Sequence, residues 1–136
     1  RWLRRYIGMA HAEEIVGLNL PTGARVSRLE RVRLADDIPM ALELSALPLD
    51  VVPQPDAVGD SLYAHLKAQG QEPVRALQHL RATNATPRQA EVLAIPPGEA
   101  LLFITRYGYA ADARPIEMTH TWCRSDYYDF VVELRR

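Results

Sequence analysis

Residues 31–43, RVRLADDIPMALE, have the pattern of two β-strands joined by a tight turn. Apolar and polar residues alternate on each side of an Asp-Asp pair, which is the period of a strand with one face in a protein core. If the apolar residues of both strands face the same core, the register of the hairpin follows, with a turn of about three residues, Asp36–Ile38. The predicted cross-strand pairs are Val32 with Leu42, Leu34 with Met40, Arg31 with Glu43, and Arg33 with Ala41.

The hairpin belongs to a segment that occurs twice in the chain. Residues 18–43 (LNLPTGARVSRLERVRLADDIPMALE) align with residues 93–119 (LAIPPGEALLFITRYGYAADARPIEMT) after one insertion. The aligned pairs are Pro21 with Pro96, Gly23 with Gly98, Arg31 with Arg106, Asp37 with Asp112, and Pro39 with Pro115. Each half is therefore predicted to contain a helix, a Pro-x-Gly turn, a long strand, an Asp-containing turn and a second strand.

The other segments complete a set of strands and short helices. Strands are predicted over 2–7, 24–37, 38–49, 73–85, 99–124 (a hairpin) and 129–135, helices within 11–23, 61–70 and 86–98, and a proline-rich loop over 49–60. This pattern predicts an α+β fold, with one antiparallel sheet and the helices packed on one of its faces. A length of 136 residues is enough for one core, and we expect a single domain over residues 1–136.

Charged residues of both hairpins are predicted to share the sheet face away from the helices. The same parity argument pairs Tyr107 with Met118 and Tyr109 with Ile116 in the second hairpin. The charged face then contains Arg31, Arg33, Glu43, Arg106 and Glu117. These residues could form cross-strand ion pairs on a solvated face, each contributing about 0.2–1 kcal/mol. Alternatively, these residues bind an anion. The two arginines of the first strand repel each other, and only one carboxylate lies opposite them. Arginine also binds carboxylate and phosphate groups through two parallel hydrogen bonds.

The segment GDSLY, residues 59–63, is a second candidate binding site. It lies at the start of the predicted 61–70 helix, where backbone N–H groups and the helix dipole favour an anion. Ser61 adds a hydroxyl and Tyr63 a phenol. The simpler interpretation is that Ser61 only caps the helix. If this helix start lies over Arg31 and Arg33, the two segments form one anion site.

Composition excludes several other classes of protein. The net charge of −1 gives no overall attraction to nucleic acid or anionic lipid, and no apolar run reaches the ~18 residues that a membrane span needs. A lone cysteine, Cys123, is typical of a protein in the reducing cytoplasm. The four histidines have no metal-ligand spacing, and neither a catalytic nucleophile motif nor a glycine-rich phosphate loop is present. We therefore predict no catalytic residues, no metal and no cofactor.

The combined motifs resemble those of a known family. The order P-x-G, RLERVRLADDIPMALE, GDSLY and RPIEMTHTWCRSDYYDFVVELR resembles the UTRA effector-binding domain of HutC-subfamily, GntR-type bacterial transcription regulators. The resemblance covers residues 11–136 and implies a chorismate-lyase-like fold and a homodimer. It also implies a winged helix-turn-helix domain upstream, which we expect to lie outside this chain, since the chain starts without methionine.

The resemblance also implies roles for individual residues. In the amino-sugar-phosphate sensors of the family, an Arg-x-Arg pair and a Ser-x-Tyr hold the phosphate, and carboxylates contact the sugar. The matching residues here are Arg31, Arg33, Ser61 and Tyr63 for the phosphate and Glu43 and Glu117 for the sugar. Arg106 and Cys123 are further candidates, with Cys123 standing where those relatives carry a tyrosine.

These inferences predict a non-enzymatic sensor of a small anionic metabolite, such as a phosphorylated amino sugar. It would control DNA contact by the absent N-terminal domain and would itself bind neither DNA nor membrane. One rival is an enzyme on the same fold, such as a lyase with Glu43 or Glu117 as general acid or base. Another rival is a dimerisation module whose charged face forms the subunit interface.

Overall fold

The computed structural model describes residues 1–126, 131 and 133–135, which contain a six-stranded antiparallel sheet and short helices. The elements are β1 (Trp2–Met9), α1 (Ala12–Gly17), β2 (Arg25–Ala35), β3 (Ile38–Pro48), a 3₁₀ turn (Pro55–Ala57), α2 (Leu62–Ala68), β4 (Arg75–Asn84), α3 (Pro87–Leu93), β5 (Ala100–Tyr109) and β6 (Pro115–Arg124). The predicted α+β class and each of these strands and α-helices are confirmed. Of the strand predicted over 129–135, residues 129, 130 and 132 lie outside the described residues, and residues 131 and 133–135 are not in a strand.

The strand order reflects the internal repeat. Along the sheet the order is β1-β2-β3-β6-β5-β4, so each half of the chain contributes three strands. The second strands of the two hairpins, β3 and β6, pair at the centre, while β1 and β4 form the edges. Each half thus runs strand, helix, strand, strand. The repeat consequently brings corresponding positions of the two hairpins towards the middle of one sheet.

The register of the first hairpin is confirmed except at its turn. Val32 pairs with Leu42, Arg31 with Glu43, and Arg33 with Ala41. The predicted Leu34–Met40 pair and three-residue turn are wrong, because Leu34 pairs with Pro39. Asp36 and Asp37 have φ angles of 50° and 64° and form a two-residue loop. Consecutive positive φ angles suit the twist of a hairpin, and aspartate tolerates them better than most residues.

Met40 is consequently an extra residue in β3, and the second hairpin has the same irregularity. Tyr107 pairs with Met118 as predicted, but Tyr109 pairs with Pro115 rather than with Ile116. Ile116 is therefore the extra residue of β6. A bulge of this kind turns a side chain away from strict alternation. Accordingly, Ile116 packs with residues of the opposite face, among them Leu29 and Leu62.

Helices cover both faces of the sheet, so the prediction that they share one face is wrong for α2. On the first face, α3 packs on Val32 and Leu42, and α1 lies against the neighbouring cluster. On the second face, Leu62 and Leu66 of α2 pack on Leu29. The physical reason is that β2 carries an apolar residue, Leu29, on the same side as Arg31 and Arg33. The second face is therefore apolar at one end and charged at the other.

The α-helices of the described chain are six or seven residues long, far short of the length that crosses a lipid bilayer.

Substitutions at neighbouring positions of β2 test the assignment of the faces. Val32 is completely buried, so Val32→Asp should unfold the chain or destabilise it by several kcal/mol, because a charge is buried without a partner. Arg33→Ala alters an exposed side chain and should change the free energy of unfolding by about 0.5 kcal/mol or less. Thermal melts of the ligand-free variants measure both. The reverse order of stabilities would mean that the two faces are exchanged.

Candidate functional site

A cleft of about 500 Å³ opens between the second face of the sheet and the start of α2. It lies at the charged end of that face, beyond the apolar cluster on which α2 packs. The lining residues come from β2, β3, β5, β6, the start of α2 and the N-terminus: Arg1, Arg31, Val32, Arg33, Leu34, Ala41, Glu43, Ser45, Asp60, Ser61, Leu62, Tyr63, Arg106 and Thr121. Residues 60–63 and the arginines of β2 therefore line the same cleft, which is the arrangement that a joint anion site requires.

Arg31 and Arg33 converge on the same oxygen of Glu43. The Nε of Arg31 donates to Glu43 Oε1 at 2.8 Å, and the Nη1 of Arg33 lies 3.7 Å from that oxygen. Arg31 also donates through Nη1 to the backbone carbonyl of Asp60 at 3.0 Å. The side chain of Arg31 is 16% exposed and that of Arg33 is 46% exposed. Two guanidinium groups thus share one carboxylate, and Arg33 retains donors that face solvent.

Ser61 caps α2 and still has a hydrogen to donate. Its Oγ accepts from the backbone N–H of Ala64 at 3.1 Å, which is the bond expected of an N-cap residue. A hydroxyl both accepts and donates, so this bond leaves the Ser61 hydrogen available. The capping role and a role in binding are therefore compatible.

Glu117 is completely buried beneath the cleft and connects three neighbouring side chains. Its Oε1 accepts from the Tyr63 hydroxyl at 2.7 Å. Its Oε2 accepts from Arg106 Nη2 at 2.8 Å and from Thr119 Oγ1 at 2.6 Å. Burial and the negative charge of Glu117 raise the pKa of Tyr63, so its hydroxyl stays protonated at neutral pH. Glu117 therefore joins α2, β5 and β6 at the back of the site.

Sequence reasoning missed the hydroxyl groups in the floor of the cleft. Ser45, Thr119 and Thr121 are buried, and Ser45 Oγ lies 2.7 Å from Thr119 Oγ1. The alternation of residues along β3 and β6 could have located these hydroxyl groups, because it places them on the same face as Glu43 and Glu117. Threonine and serine on a strand are commonly surface residues, so the pattern alone did not place them in a buried site.

Two predicted residues lie outside the lining of the cleft. Glu117 contacts it only through Tyr63 and Arg106. Cys123 is fully buried in a cluster with Ala41 and Ile104. Burial and the nearby Glu43 carboxylate raise the pKa of its thiol to about 12. Cys123 is therefore a neutral packing group behind the site.

The site has a positive balance of charge. Four arginines (Arg1, Arg31, Arg33 and Arg106) meet three carboxylates (Glu43, Asp60 and Glu117), which leaves one positive charge. Within the described residues, no three His, Cys, Asp or Glu side chains are grouped so as to hold a metal ion. The arrangement can therefore bind an anion and offers acceptors for hydroxyl or ammonium groups beside it.

Comparison with known proteins found one matching family model and several relatives. The UTRA domain family model matches residues 1–129. The HTH-type transcriptional repressor NagR of Bacillus subtilis (strain 168) is 33% identical over 120 residues, which are 86% of this chain and 49% of NagR. The HTH-type transcriptional regulator GgaR of Escherichia coli (strain K12) is 27% identical over 132 residues, which are 97% of this chain and 53% of GgaR. The chain thus spans about half the length of the curated relatives it matches.

Solved structures agree with the family match. A GntR-family transcriptional regulator from Enterococcus faecalis V583 superposes with a TM-score of 0.90 at 27% identity, covering 98% of this chain and 99% of that one. The effector domain of PhnF from Mycobacterium smegmatis has the same TM-score at 24% identity, covering 99% and 85% of the two chains, which shows a shared fold. The named relatives are regulators, which supports the prediction that the chain is not an enzyme.

Gly108 leaves the space that the Glu117 carboxylate occupies. It pairs with Glu117 across the hairpin, and a Cβ on Gly108 would lie 2.7 Å from Glu117 Oε1 and 3.3 Å from Pro73 Cβ. Gly108→Ala should therefore lower the free energy of unfolding by about 1–3 kcal/mol through overpacking. Denaturant unfolding measures this change. Gly59→Ala is the matched control, since nothing lies within 4 Å of its Cβ position, and an equal loss in both variants would contradict the tight packing at Gly108.

Proposed function

The chain belongs to the UTRA domain family, and we propose that it is the effector-binding domain of a GntR-type, HutC-subfamily transcription regulator. It spans about half of NagR and GgaR, whose names describe helix-turn-helix regulators. On this proposal the remaining half of the full protein carries the DNA-binding domain. Such a regulator would act in the cytoplasm, where the Cys123 thiol stays reduced.

The proposed effector is a small phosphorylated metabolite, with a phosphorylated amino sugar as the first candidate. The observation that carries this proposal is the convergence of Arg31 and Arg33 on one oxygen of Glu43. One carboxylate offsets only one of two adjacent guanidinium groups, and a phosphate supplies the missing negative charge. The family resemblance assigns phosphate binding to these same residues.

The cleft suggests how the effector is held. Its phosphate would accept from Arg31, Arg33 and the free hydroxyl hydrogen of Ser61. Tyr63 uses its own hydrogen on Glu117, so it would contribute its ring and oxygen to the wall of the site. Hydroxyl or ammonium groups of a sugar would then lie over Glu43 and the floor of β3 and β6. A volume of about 500 Å³ lies within the range of small-molecule sites.

Effector binding would be linked to DNA binding through the assembly of two subunits. An effector that prefers one relative placement of the DNA-binding domains changes operator affinity, and operator DNA changes effector affinity by the same factor. The proposed homodimer would use β4, which lies at the edge of the sheet with almost every residue exposed. Leu77 and Leu80 project from opposite sides of this strand and are 47% and 45% exposed. An uncovered edge strand with apolar residues on both sides favours association.

Ligand-dependent stability tests the effector proposal. Glucosamine-6-phosphate should raise the melting temperature of the chain. At a hundredfold excess of ligand over Kd, the free energy of unfolding should increase by about 2.7 kcal/mol. Glucosamine, which lacks the phosphate, should have much less effect. Arg31→Ala combined with Arg33→Ala should abolish the rise, and Ser61→Ala should reduce it. The control is Arg88→Ala combined with Arg114→Ala, which removes two arginines that pair outside the cleft with Glu30 and Asp50. If the Arg31/Arg33 variant binds as tightly as the parent, the anion site lies elsewhere.

Light scattering tests the proposed homodimer. The parent chain should have the mass of a dimer at tens of micromolar. Leu77→Asp combined with Leu80→Asp should give the mass of a monomer. This variant should remain folded, because both side chains are exposed in the single chain. Val16→Asp is the control, since it introduces the same charge at a residue that is 83% exposed on α1. A parent of monomer mass, or a dimer that tolerates both aspartates, would contradict the use of β4.

A further inference from the structure

A second cavity, of about 180 Å³, lies between α1 and the first face of the sheet. Strands β3 and β6 supply its floor through Leu44, Ala46, Met118 and His120. Residues that alternate with these along the same strands, such as Ser45, line the cleft on the second face. The two cavities therefore lie back to back on the central strands of the sheet.

The floor of this cavity is largely apolar. Ala46 and Met118 are 2% and 4% exposed and belong to the cluster on which α1 packs, and Leu44 is half-buried beside them. One water molecule takes up about 30 Å³ of the liquid, so the cavity has room for about six waters or for one small organic molecule. Apolar walls of this kind favour the hydrocarbon part of a ligand over ordered water.

A buried ion pair at the edge of the cavity leaves one acceptor free. Arg28 donates to both oxygens of Glu14 and to the carbonyl of Met9, while its Nη1 is directed at Gly8 of β1, where a Cβ would not fit. Glu14 Oε1 accepts from Arg28 and from the backbone N–H of His11, whereas Oε2 accepts only from Arg28 Nε. Each carboxylate oxygen has two lone pairs, so one lone pair of Glu14 Oε2 remains.

Glu13 adds a second carboxylate, which is held beside the cavity by His120. Its Oε1 lies 3.1 Å from His120 Nε2, and this nitrogen carries the hydrogen because a carboxylate only accepts. The His120 ring also makes edge contacts with Phe103 and Trp122, at centroid distances of 5.3 and 5.9 Å. With the histidines neutral, two carboxylates and one guanidinium give the lining one negative charge. The polar side of the cavity is therefore richer in acceptors than in free donors.

From this arrangement we propose that the cavity is a second ligand site, which takes a small organic cation. An ammonium group donates to Glu13 and Glu14, and a short hydrocarbon chain packs on Leu44, Ala46 and Met118. The chemistry is opposite to that of the cleft on the other face, where arginines favour an anion. The inference does not rest on the proposed effector.

Methyl NMR of the chain, titrated with n-butylammonium, tests this inference. The three methionines are Met9, Met40 and Met118, of which only Met118 lines the cavity. The probe should shift the Met118 signal to saturation and leave that of Met40, near the β2–β3 turn, unchanged. n-Butanol has the same chain without the charge and should bind about tenfold more weakly, and butyrate should not bind. Equal binding of n-butanol or butyrate, or no saturable shift with n-butylammonium, would overturn the inference.

A charge variant tests the role of the carboxylates. Glu13→Gln keeps the shape of the side chain but removes its charge, and should lower the affinity for n-butylammonium about tenfold. Glu91→Gln is the matched control, because it neutralises an exposed glutamate of α3 outside the cavity and should leave the affinity unchanged. An unchanged affinity in Glu13→Gln, or an equal loss in both variants, contradicts the proposed site. Glu14 is unsuitable for this test, since its loss would leave Arg28 buried without a partner.

A cavity-filling variant tests the position of the hydrocarbon chain. Ala46→Val adds two methyl groups to the floor and should lower the affinity for n-butylammonium about tenfold or more by occupying the space. Circular dichroism checks that this variant is folded, and Glu13→Gln decides the question if it is not. Undiminished binding by folded Ala46→Val would place the cation elsewhere on the chain and overturn the inference. No phosphorylated ligand enters these titrations, so failure of the effector proposal would leave their result unaffected.

Discussion

The buried carboxylate of Glu117 is the interaction on which the site depends. It accepts hydrogen bonds from α2 through Tyr63, from β5 through Arg106 and from β6 through Thr119, which in turn contacts Ser45 of β3. A buried charge is stable only while its partners remain, and removal of one partner typically costs about 3–5 kcal/mol. The network therefore holds α2 against the sheet and keeps the back of the cleft in one arrangement.

The two halves of the chain contribute corresponding parts to this site. Arg31 and Arg106 occupy equivalent positions of the repeat, and each pairs with a glutamate of its own hairpin. Because β3 and β6 meet at the centre of the sheet, the two Arg–Glu pairs approach from opposite sides of one cleft. The pairs differ in burial, however. Glu43 lines the cleft, whereas Glu117 is completely buried beneath it.

Arg31 connects the proposed anion site to three parts of the fold. Its guanidinium contacts Glu43 of β3 and the Asp60 carbonyl before α2, and it lies 5.1 Å from the centre of the Trp2 ring in β1. An anion bound by Arg31 would compete for the hydrogen bonds that it now gives to Glu43 and Asp60. Occupation of the site can therefore alter both the start of α2 and the edge strand β1. These contacts would give the proposed effector binding a physical route away from the cleft.

The sequence by itself determined the strands β1 to β6, the helices α1 to α3, the parity of the strands and the register away from the turns. Alternation specified that Arg31, Arg33 and Glu43 share a face, because a shift of one residue would bury the arginines and expose Val32. Only the tertiary structure decided the tight turn at Asp36 and Asp37, since backbone twist rather than side-chain pattern selects it. It also placed α2 on the charged face, because Leu29 offers an apolar surface whose partner is distant in sequence. The different burial of Glu43 and Glu117 likewise follows from packing and hydrogen bonds between distant strands, which strand parity does not contain.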